Sequence, residues 1–186
     1  MTLDFIVRPA RKEDFKAIRS LQKANHFSSV TEDYKAREGF VSVETSIKML
    51  DRLNEDIGIC VAEKAGKIVG YEMPLGLQHA AQLPLLKPFI VRFKTIDYDG
   101  KKVSDYNVVI EGQILVAKGE KGQGIAEALH EQFVNGLKGK YDLLITEISD
   151  QNPRSLHVHT NKLGLKVIDE YAAEGRNWYV LAQDLR

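Results

Sequence analysis

Three glycines, Gly119, Gly122 and Gly124, separate an apolar run rich in β-branched residues, Val108–Val116, from a stretch in which Ile125, Leu129, Phe133 and Leu137 recur at intervals of four. The run predicts a strand, and the spacing predicts one face of a helix that starts near Ile125. The first turn of a helix has backbone N–H groups without intrahelical partners and carries the positive end of the aligned peptide dipoles, so it can hold an anion. Glycine, without a Cβ, takes positive φ and lets a phosphate approach the backbone closely. The chemistry expected here is phosphate binding, with a plain helix cap as the simpler alternative. Two familiar phosphate loops do not fit. A P-loop needs Gly-Lys-Ser or Gly-Lys-Thr, and neither occurs in the chain. The dinucleotide fingerprint G-x-G-x-x-G, counted from Gly122 and Gly124, meets Glu127 at its third glycine. Glu147 lies about twenty residues on, as that fingerprint wants, but the loop sits two-thirds along the chain and not after a first strand.

A third pattern fits. Lys121-Gly122-Gln123-Gly124-Ile125-Ala126 resembles the Arg/Gln-x-x-Gly-x-Gly/Ala loop of the GCN5-related N-acetyltransferase (GNAT) superfamily, in which backbone amides hold the pyrophosphate of acetyl-coenzyme A. Lys121 stands where Arg or Gln is usual and keeps a positive charge. A second segment, Asn152-Pro-Arg-Ser155-Leu-His-Val-His159-Thr-Asn-Lys-Leu-Gly164-Leu165, is similar to the family's Asn-x-x-Ala…Tyr…Gly-Phe stretch. The resemblance covers the chain well from Ile110 onward and the earlier part only in general layout. It implies acetyl-CoA as cosubstrate, with the pyrophosphate at Lys121, Gly122, Gln123, Gly124, Ile125 and Ala126. The pantetheine arm would lie between two splayed strands and bond the backbone of Leu115, Val116 and Ala117. Asn152, three residues before Ser155, would either cap the helix or bond a pantetheine amide, and Ser155 would lie beside the coenzyme. Lys118, Lys121 and Lys140 are near the loop in sequence and would suit the 3′-phosphate.

Acetyl transfer from a thioester to an amine needs the amine deprotonated, the carbonyl oriented and the leaving thiolate protonated, with no covalent enzyme intermediate. Glu111, on the strand before the loop, is the candidate base, acting directly or through water; the plain alternative is a solvated strand residue. Gln113, two residues on, is expected on the same face, able to orient a substrate but not to act as a base. His159 occupies the position where the family often has a tyrosine that protonates the coenzyme A thiolate, and histidine can donate near neutral pH; the plain alternative is a packing residue. His157, roughly opposite across the helix, is given no role. The leading function is acetyl transfer from acetyl-CoA to a primary amine of a small molecule or protein. The competing readings are a non-catalytic acyl-CoA sensor that keeps the cradle but lacks a productive base and acid, and a nucleotide-binding protein. The acceptor-side stretches, His26–Gly39 and Leu75–Lys94, carry both charge signs and favour no charge class of acceptor.

Composition sets limits. At 186 residues the chain is expected to form one domain, 1–186. With 26 basic and 26 acidic residues the net charge is zero, so nucleic acid and anionic membrane are not expected as partners. No apolar run approaches the roughly 18 residues of a membrane helix, and Met-Thr-Leu-Asp-Phe lacks a basic segment followed by a long apolar one. A soluble, cytoplasmic protein is expected, with a homodimer left open. Cys60, the only cysteine, excludes an internal disulfide and a cysteine-based zinc cluster, and its apolar surroundings predict a buried structural thiol. No metal is expected.

The remaining elements must position these groups. Phe5–Pro9 reads as a strand, Asp14–Asn25 as a helix with a stripe of Phe15, Ile18, Leu21 and Gln22, His26–Gly39 as an ordered loop or short helix, and Val43–Leu53 as a helix ending before Asp56. Ile57–Glu63 and Lys67–Met73 form a hairpin ended by Pro74. His79–Leu86 reads as a short helix, and Phe89–Asp97 and Val103–Val116 as strands joined by an Asp-Gly turn. Tyr141–Ile148 suits a buried central strand, Ser155–Leu163 a helix, and Leu165–Ile168 and Trp178–Ala182 terminal strands. The order implies an α/β fold, α+β in stricter usage: a mixed central sheet covered by helices on both faces, with the strand-loop-helix-strand unit Val108–Ile148 pairing its strands in parallel.

Overall fold

A computed structural model describes residues 4–186; the opening Met-Thr-Leu, part of the stretch read for a leader, lies outside the described residues. The chain runs β1 (Ile6–Pro9), α1 (Phe15–Asn25), α2 (Glu32–Glu38), α3 (Ile47–Asp56), β2 (Cys60–Lys64), β3 (Lys67–Leu75), α4 (Leu77–Ala80), α5 (Lys87–Arg92), β4 (Asp97–Tyr98) and β5 (Lys101–Lys102). It continues through β6 (Val108–Val116), α6 (Ile125–Leu137), β7 (Leu143–Ser149), α7 (Pro153–Asn161), β8 (Lys166–Ala173) and β9 (Arg176–Asp184). Seven strands form one sheet in the order β1-β2-β3-β6-β7-β9-β8. All neighbours are antiparallel except β6 and β7, which the crossover through α6 makes parallel.

Alternation along the central strands divides the core between the two faces. Val109, Val116 and Leu144 pack under α6, where Leu129 and Phe133 are buried against them. Tyr71, Met73 and Leu115 face the opposite way, against Phe15 and Ile18 of α1 and Leu50 and Leu53 of α3. Val108, Ile110, Leu143 and Ile145 pack with Phe89 and Phe93.

Two features of β6 shape the centre of the sheet. Met73 pairs with Gln113 but the next residue, Pro74, pairs with Glu111, so Gly112 is an extra residue in the strand. Pro74 has no N–H to offer the ladder, and a Cβ on Gly112 would lie 3.2 Å from the carbonyl oxygens of both Met73 and Pro74. The second feature is that β6 and β7 pair over three positions only, Val108↔Leu143 to Ile110↔Ile145, and part beyond them.

Several elements differ from the sequence reading. The run read as a strand over Phe89–Asp97 begins instead in helix α5. A short apolar run fits either periodicity, and here Pro88 in the first turn and the four-residue spacing of Phe89 and Phe93, packed edge to face at 4.9 Å, favour the helix. The Asp-Gly turn survives as the two-residue ladder of β4 and β5. Val103–Asp105 forms a 3₁₀ turn, so β6 starts at Val108. Pro74 does not end β3, because the bulge absorbs it. Helix α3 runs on to Asp56, β8 and β9 are longer than read, and His79–Leu86 divides between α4 and a 3₁₀ turn at Pro84–Leu86. Among the described residues no helix is long and apolar enough to cross a membrane.

The packing of α6 on β3 leaves no room at Gly70, where a Cβ would sit 3.0 Å from Leu115 O and 3.1 Å from Leu129 Cδ1. Gly70→Ala is expected to lower unfolding free energy by about 1–3 kcal/mol in urea titrations. Gly136→Ala, on α6 with open space around it, is expected to raise it by about 0.5–1 kcal/mol. Equal effects at the two positions would contradict this packing.

Candidate active site

The glycine loop has the conformation its residues suggest. Gly119, Gly122 and Gly124 have φ of +88°, +80° and +80°, and Cβ atoms at these positions would meet nothing, so backbone conformation and not space requires glycine. Gly124 is the N-cap of α6 in the left-handed conformation, with no side chain capping it. The first intrahelical bond runs from Ala128 N–H to Gly124 O at 3.0 Å, which leaves the amides of Ile125, Ala126 and Glu127 at the open end of the helix. A cavity of about 220 Å³ adjoins this end, lined in part by Lys121, Gly122, Ile125, Ala126, Asn152 and Ser155.

Several side chains assigned to the cradle are already bonded within the protein. Lys121 Nζ donates to Glu38 O at 2.8 Å and pairs with Glu38 Oε2 at 3.1 Å, tying the loop to the end of α2. The ammonium groups of Lys118 and Lys121 lie 5.6 and 5.3 Å from the centre of the Tyr34 ring. Gln123 is bound within its own surroundings, accepting from Lys64 Nζ and donating to Gly119 O and Glu120 Oε2. Lys140 follows the C-terminal end of α6, the whole helix length, about 20 Å, from the loop, and so cannot serve a phosphate there. Arg154 and Lys162 of the α7 region line the small cavity instead.

Beyond Ile110 and Ile145 the parted strands leave a gap. Ala117 N–H donates to Val69 O at 2.7 Å, so Ala117, and by alternation Leu115, turn their backbone groups toward β3. Of the three residues expected to bond a pantetheine arm, Val116 is therefore the one whose amide faces the gap, and Ile114 joins it.

At the inner end of the gap Glu111 and His159, read separately from the sequence, form one buried pair. His159 Nε2 lies 3.1 Å from Glu111 Oε1, and Nδ1 donates to Ser155 O at 2.7 Å; Glu111 is 2 % exposed and His159 5 %. Burial disfavours charge on both groups, but their attraction and hydrogen bond outweigh it. The Glu111 pKa is lowered and that of His159 raised, which favours a carboxylate beside an imidazolium. Both ring nitrogens are engaged, so the geometry leaves neither of them for direct protonation of a thiolate. Asn152 is engaged as well: its Oδ1 accepts from Ser155 N–H and its Nδ2 donates to Phe40 O, capping α7 and fastening it to the segment before α3.

The expectation that Gln113 shares a face with Glu111 is corrected by the bulge. Met73 and Pro74 are consecutive and so point to opposite faces, and their partners Gln113 and Glu111 do the same. Gln113 accepts from Gln22 Nε2 at 3.0 Å and Tyr71 Oη at 2.7 Å and donates to Val43 O at 2.7 Å, which holds residues 43–45 over the sheet. Gly112 and Pro74 were the sequence signal for this reversal.

A larger cavity of about 530 Å³ opens on the other side of the pair. Met49, Leu53, Met73, Leu75 and Phe89 give it an apolar lining, with Glu147 and Arg176 among its polar members. Ile114, Asn152, Ser155 and His159 line both cavities, so the two meet at the Glu111–His159 pair.

No family model and no curated protein sequence matches the chain. Solved structures do match, and the fold they share with it is that of the GNAT N-acetyltransferases. An N-acetyltransferase from Staphylococcus aureus Mu50 is 18 % identical, with a TM-score of 0.65 over 98 % of this chain and 99 % of that one. The yncA protein of Salmonella typhimurium, solved with its cofactor acetyl-CoA, is 17 % identical, with a TM-score of 0.63 over 98 % and 95 %. An acetyltransferase of the GNAT family from Streptococcus pneumoniae is 13 % identical, with a TM-score of 0.62 over 97 % and 98 %.

Glu147 gives the site a pH signature. Burial pushes its pKa from 4.5 to about 7; the Tyr171 hydroxyl bonded to it opposes the shift, and Glu174 adds to it. A folded-state pKa above the unfolded one contributes stability that is fully present below pH 4.5 and lost as pH rises through about 7. Melting temperatures of the wild type are expected to fall across this window more steeply than those of Glu147→Gln; parallel curves would refute the buried carboxyl.

Proposed function

We propose that the chain is an N-acyltransferase that moves an acetyl group from acetyl-CoA to the primary amine of an acceptor with an apolar body. The observation that carries this reading is one continuous opening. It begins at the uncapped end of α6, follows the gap between β6 and β7, passes the Glu111–His159 pair and ends in the apolar cavity. The coenzyme fits the first part: the free amides and dipole of α6 suit a pyrophosphate, and the backbone of Ile114 and Val116 suits a pantetheine arm. Acetyl-CoA supplies the acyl group as an activated thioester. The volume of the second cavity lies in the range of small-molecule sites, and its lining favours an amine attached to aliphatic or aromatic carbon.

In this reading the amine nitrogen attacks the thioester carbonyl, an N–C bond forms and the C–S bond breaks. The amine proton passes to the Glu111 carboxylate, directly or through water, and then to the thiolate of coenzyme A. His159 holds Glu111 in place and in its ionised form, a role in accord with both of its ring nitrogens being engaged. The transfer as written requires no metal. The cytoplasm is the proposed compartment, and acetyl-CoA and the amine are the proposed partners.

Calorimetry with acetyl-CoA and with NAD tests the cradle, and acetyl-CoA alone is expected to bind. Gly124→Val, which forces a β-branched residue to a φ of +80°, should weaken that binding at least tenfold, about 1.4 kcal/mol, in a folded protein. Glu111→Gln should lower transfer to an amine panel by about a hundredfold while acetyl-CoA affinity changes little. Tight acetyl-CoA binding without transfer to any amine would favour the sensor reading.

A further inference from the structure

Behind Glu111 lies a second buried ion pair. Glu72 of β3 is fully buried and His130 of α6 is 4 % exposed. His130 Nδ1 donates to Glu72 Oε1 at 2.9 Å, and its Nε2 donates to Gln183 Oε1 at 2.7 Å. One carboxylate oxygen of Glu72, one of Glu111 and a ring nitrogen of His130 all lie within 4.8 Å of one another. Glu72 Oε2 and Glu111 Oε2 are buried and have no hydrogen-bond partner. The four groups thus form a row, His130, Glu72, Glu111, His159, with two acidic groups at its centre and an imidazole at each end.

Two carboxylates at such a separation in a dry interior repel unless cations flank them, and each is hydrogen-bonded to a histidine here. Among the described residues, the further polar groups paired with or bonded to the row at β2, β7 and β9 are neutral. Cys60, opposite Glu72 on β2, is kept a neutral thiol by burial, which pushes its pKa up to about 12. Gln183 of β9 and Thr146 of β7, whose hydroxyl donates to Glu111 O, are neutral as well. The charge felt by Glu111 is therefore set by His159 in front and by Glu72 and His130 behind.

We infer that Glu72 and His130 are positioning residues for the proposed transfer: the Glu72 carboxylate keeps Glu111 basic against the pull of the His159 imidazolium, and His130 holds Glu72 in place. The inference rests on the acyltransferase reading. Burial, with the Glu111 charge adding to it, pushes the Glu72 pKa up to about 7 against the pull of His130, whose own pKa is raised to about 9. Between these values, with both carboxylates ionised and both imidazoles protonated, the row has no net charge. Receipt of the amine proton by Glu111 makes the row positive by one as the N–C bond forms, and Glu72 is the anion beside that charge. Transfer of the proton to the departing sulfur returns the row to neutrality.

The test uses Glu72→Gln in the full chain, with ring ¹⁵N shifts of both histidines followed against pH and with transfer kinetics. The variant is expected to lower the titration of His159 by about one pH unit, a tenfold change in its proton affinity, and to lower that of His130 as well. It should reduce kcat about tenfold with an unchanged KM for acetyl-CoA, and Glu72→Asp should recover part of the loss. Should Glu72→Gln fail to fold, His130→Gln, which leaves Glu72 without its cation and so protonated, is expected to lower the His159 titration in the same way. An unmoved His159 titration overturns the inference whatever the activity. Zinc that binds the wild type in calorimetry and not Glu72→Gln overturns it too, by making Glu72, Glu111 and His130 a metal site. A wild type that transfers no acyl group defeats the acyltransferase reading, and the coupling is then judged by the ring titration alone.

Discussion

The parting of β6 from β7 is the constraint on which the rest of the structure depends. A parallel pair normally continues its ladder as far as both strands last, because unpaired backbone groups in an interior are costly. Here the ladder stops after three positions although six further residues of β6 and four of β7 follow. The bulge at Gly112 turns Glu111 away from the face that Gln113 occupies, and the hydrogen bond from Thr146 to Glu111 O closes the junction where the strands separate. The gap is thus built into the fold, with α6 standing at its mouth and the acidic residue at its apex.

Burial of Glu111 and His159 is tolerable because each is hydrogen-bonded to the other. A buried ion pair recovers in attraction about what it loses in hydration, so its contribution to stability is small while the cost of breaking it is large. The pair also needs a rigid frame. Asn152 caps α7 and reaches Phe40, Ser155 O takes the second ring nitrogen, and Gln113 with Tyr71 and Gln22 fixes the segment that closes the cavity above. These neutral hydrogen bonds set where an ionic one can form. Glu72 and His130 extend the same logic through the sheet to α6, so the helix whose first turn faces the small cavity also carries, on its second turn, a charge that acts on Glu111.

The glycine loop is held from outside. Lys64 bonds Glu120 and Gln123, and Lys121 bonds Glu38, so these two positive side chains near the loop are already engaged with side-chain or backbone oxygens. The amides at the start of α6 have no side-chain cap, and Arg154 and Lys162 line the cavity beside them. The Lys121 side chain thus ties the loop to the end of α2.

How much was legible followed the range of the forces involved. Short-range patterns were readable: the four-residue stripe of α6, the three positive-φ glycines, the central apolar strand at Leu143–Ser149 and the cap at Asn152 are each decided within a few residues. The placing of Glu111 before the loop and His159 on the following helix was readable too, but not that they touch, since 48 residues separate them. Phe89–Asp97 misled because a short apolar run carries no decisive period, and packing on the sheet selected the helix. Glu72 and His130 could not be singled out, because a lone carboxylate in a strand and a lone histidine in a helix look solvated until the sheet brings them together across 58 residues. The sequence by itself thus determined most of the elements and the glycine turn before α6, since propensity, capping and glycine conformation act locally. Tertiary structure alone decided which face each side chain of β6 takes, where the strands part and which ionisable groups share a dry interior, because those depend on register and burial.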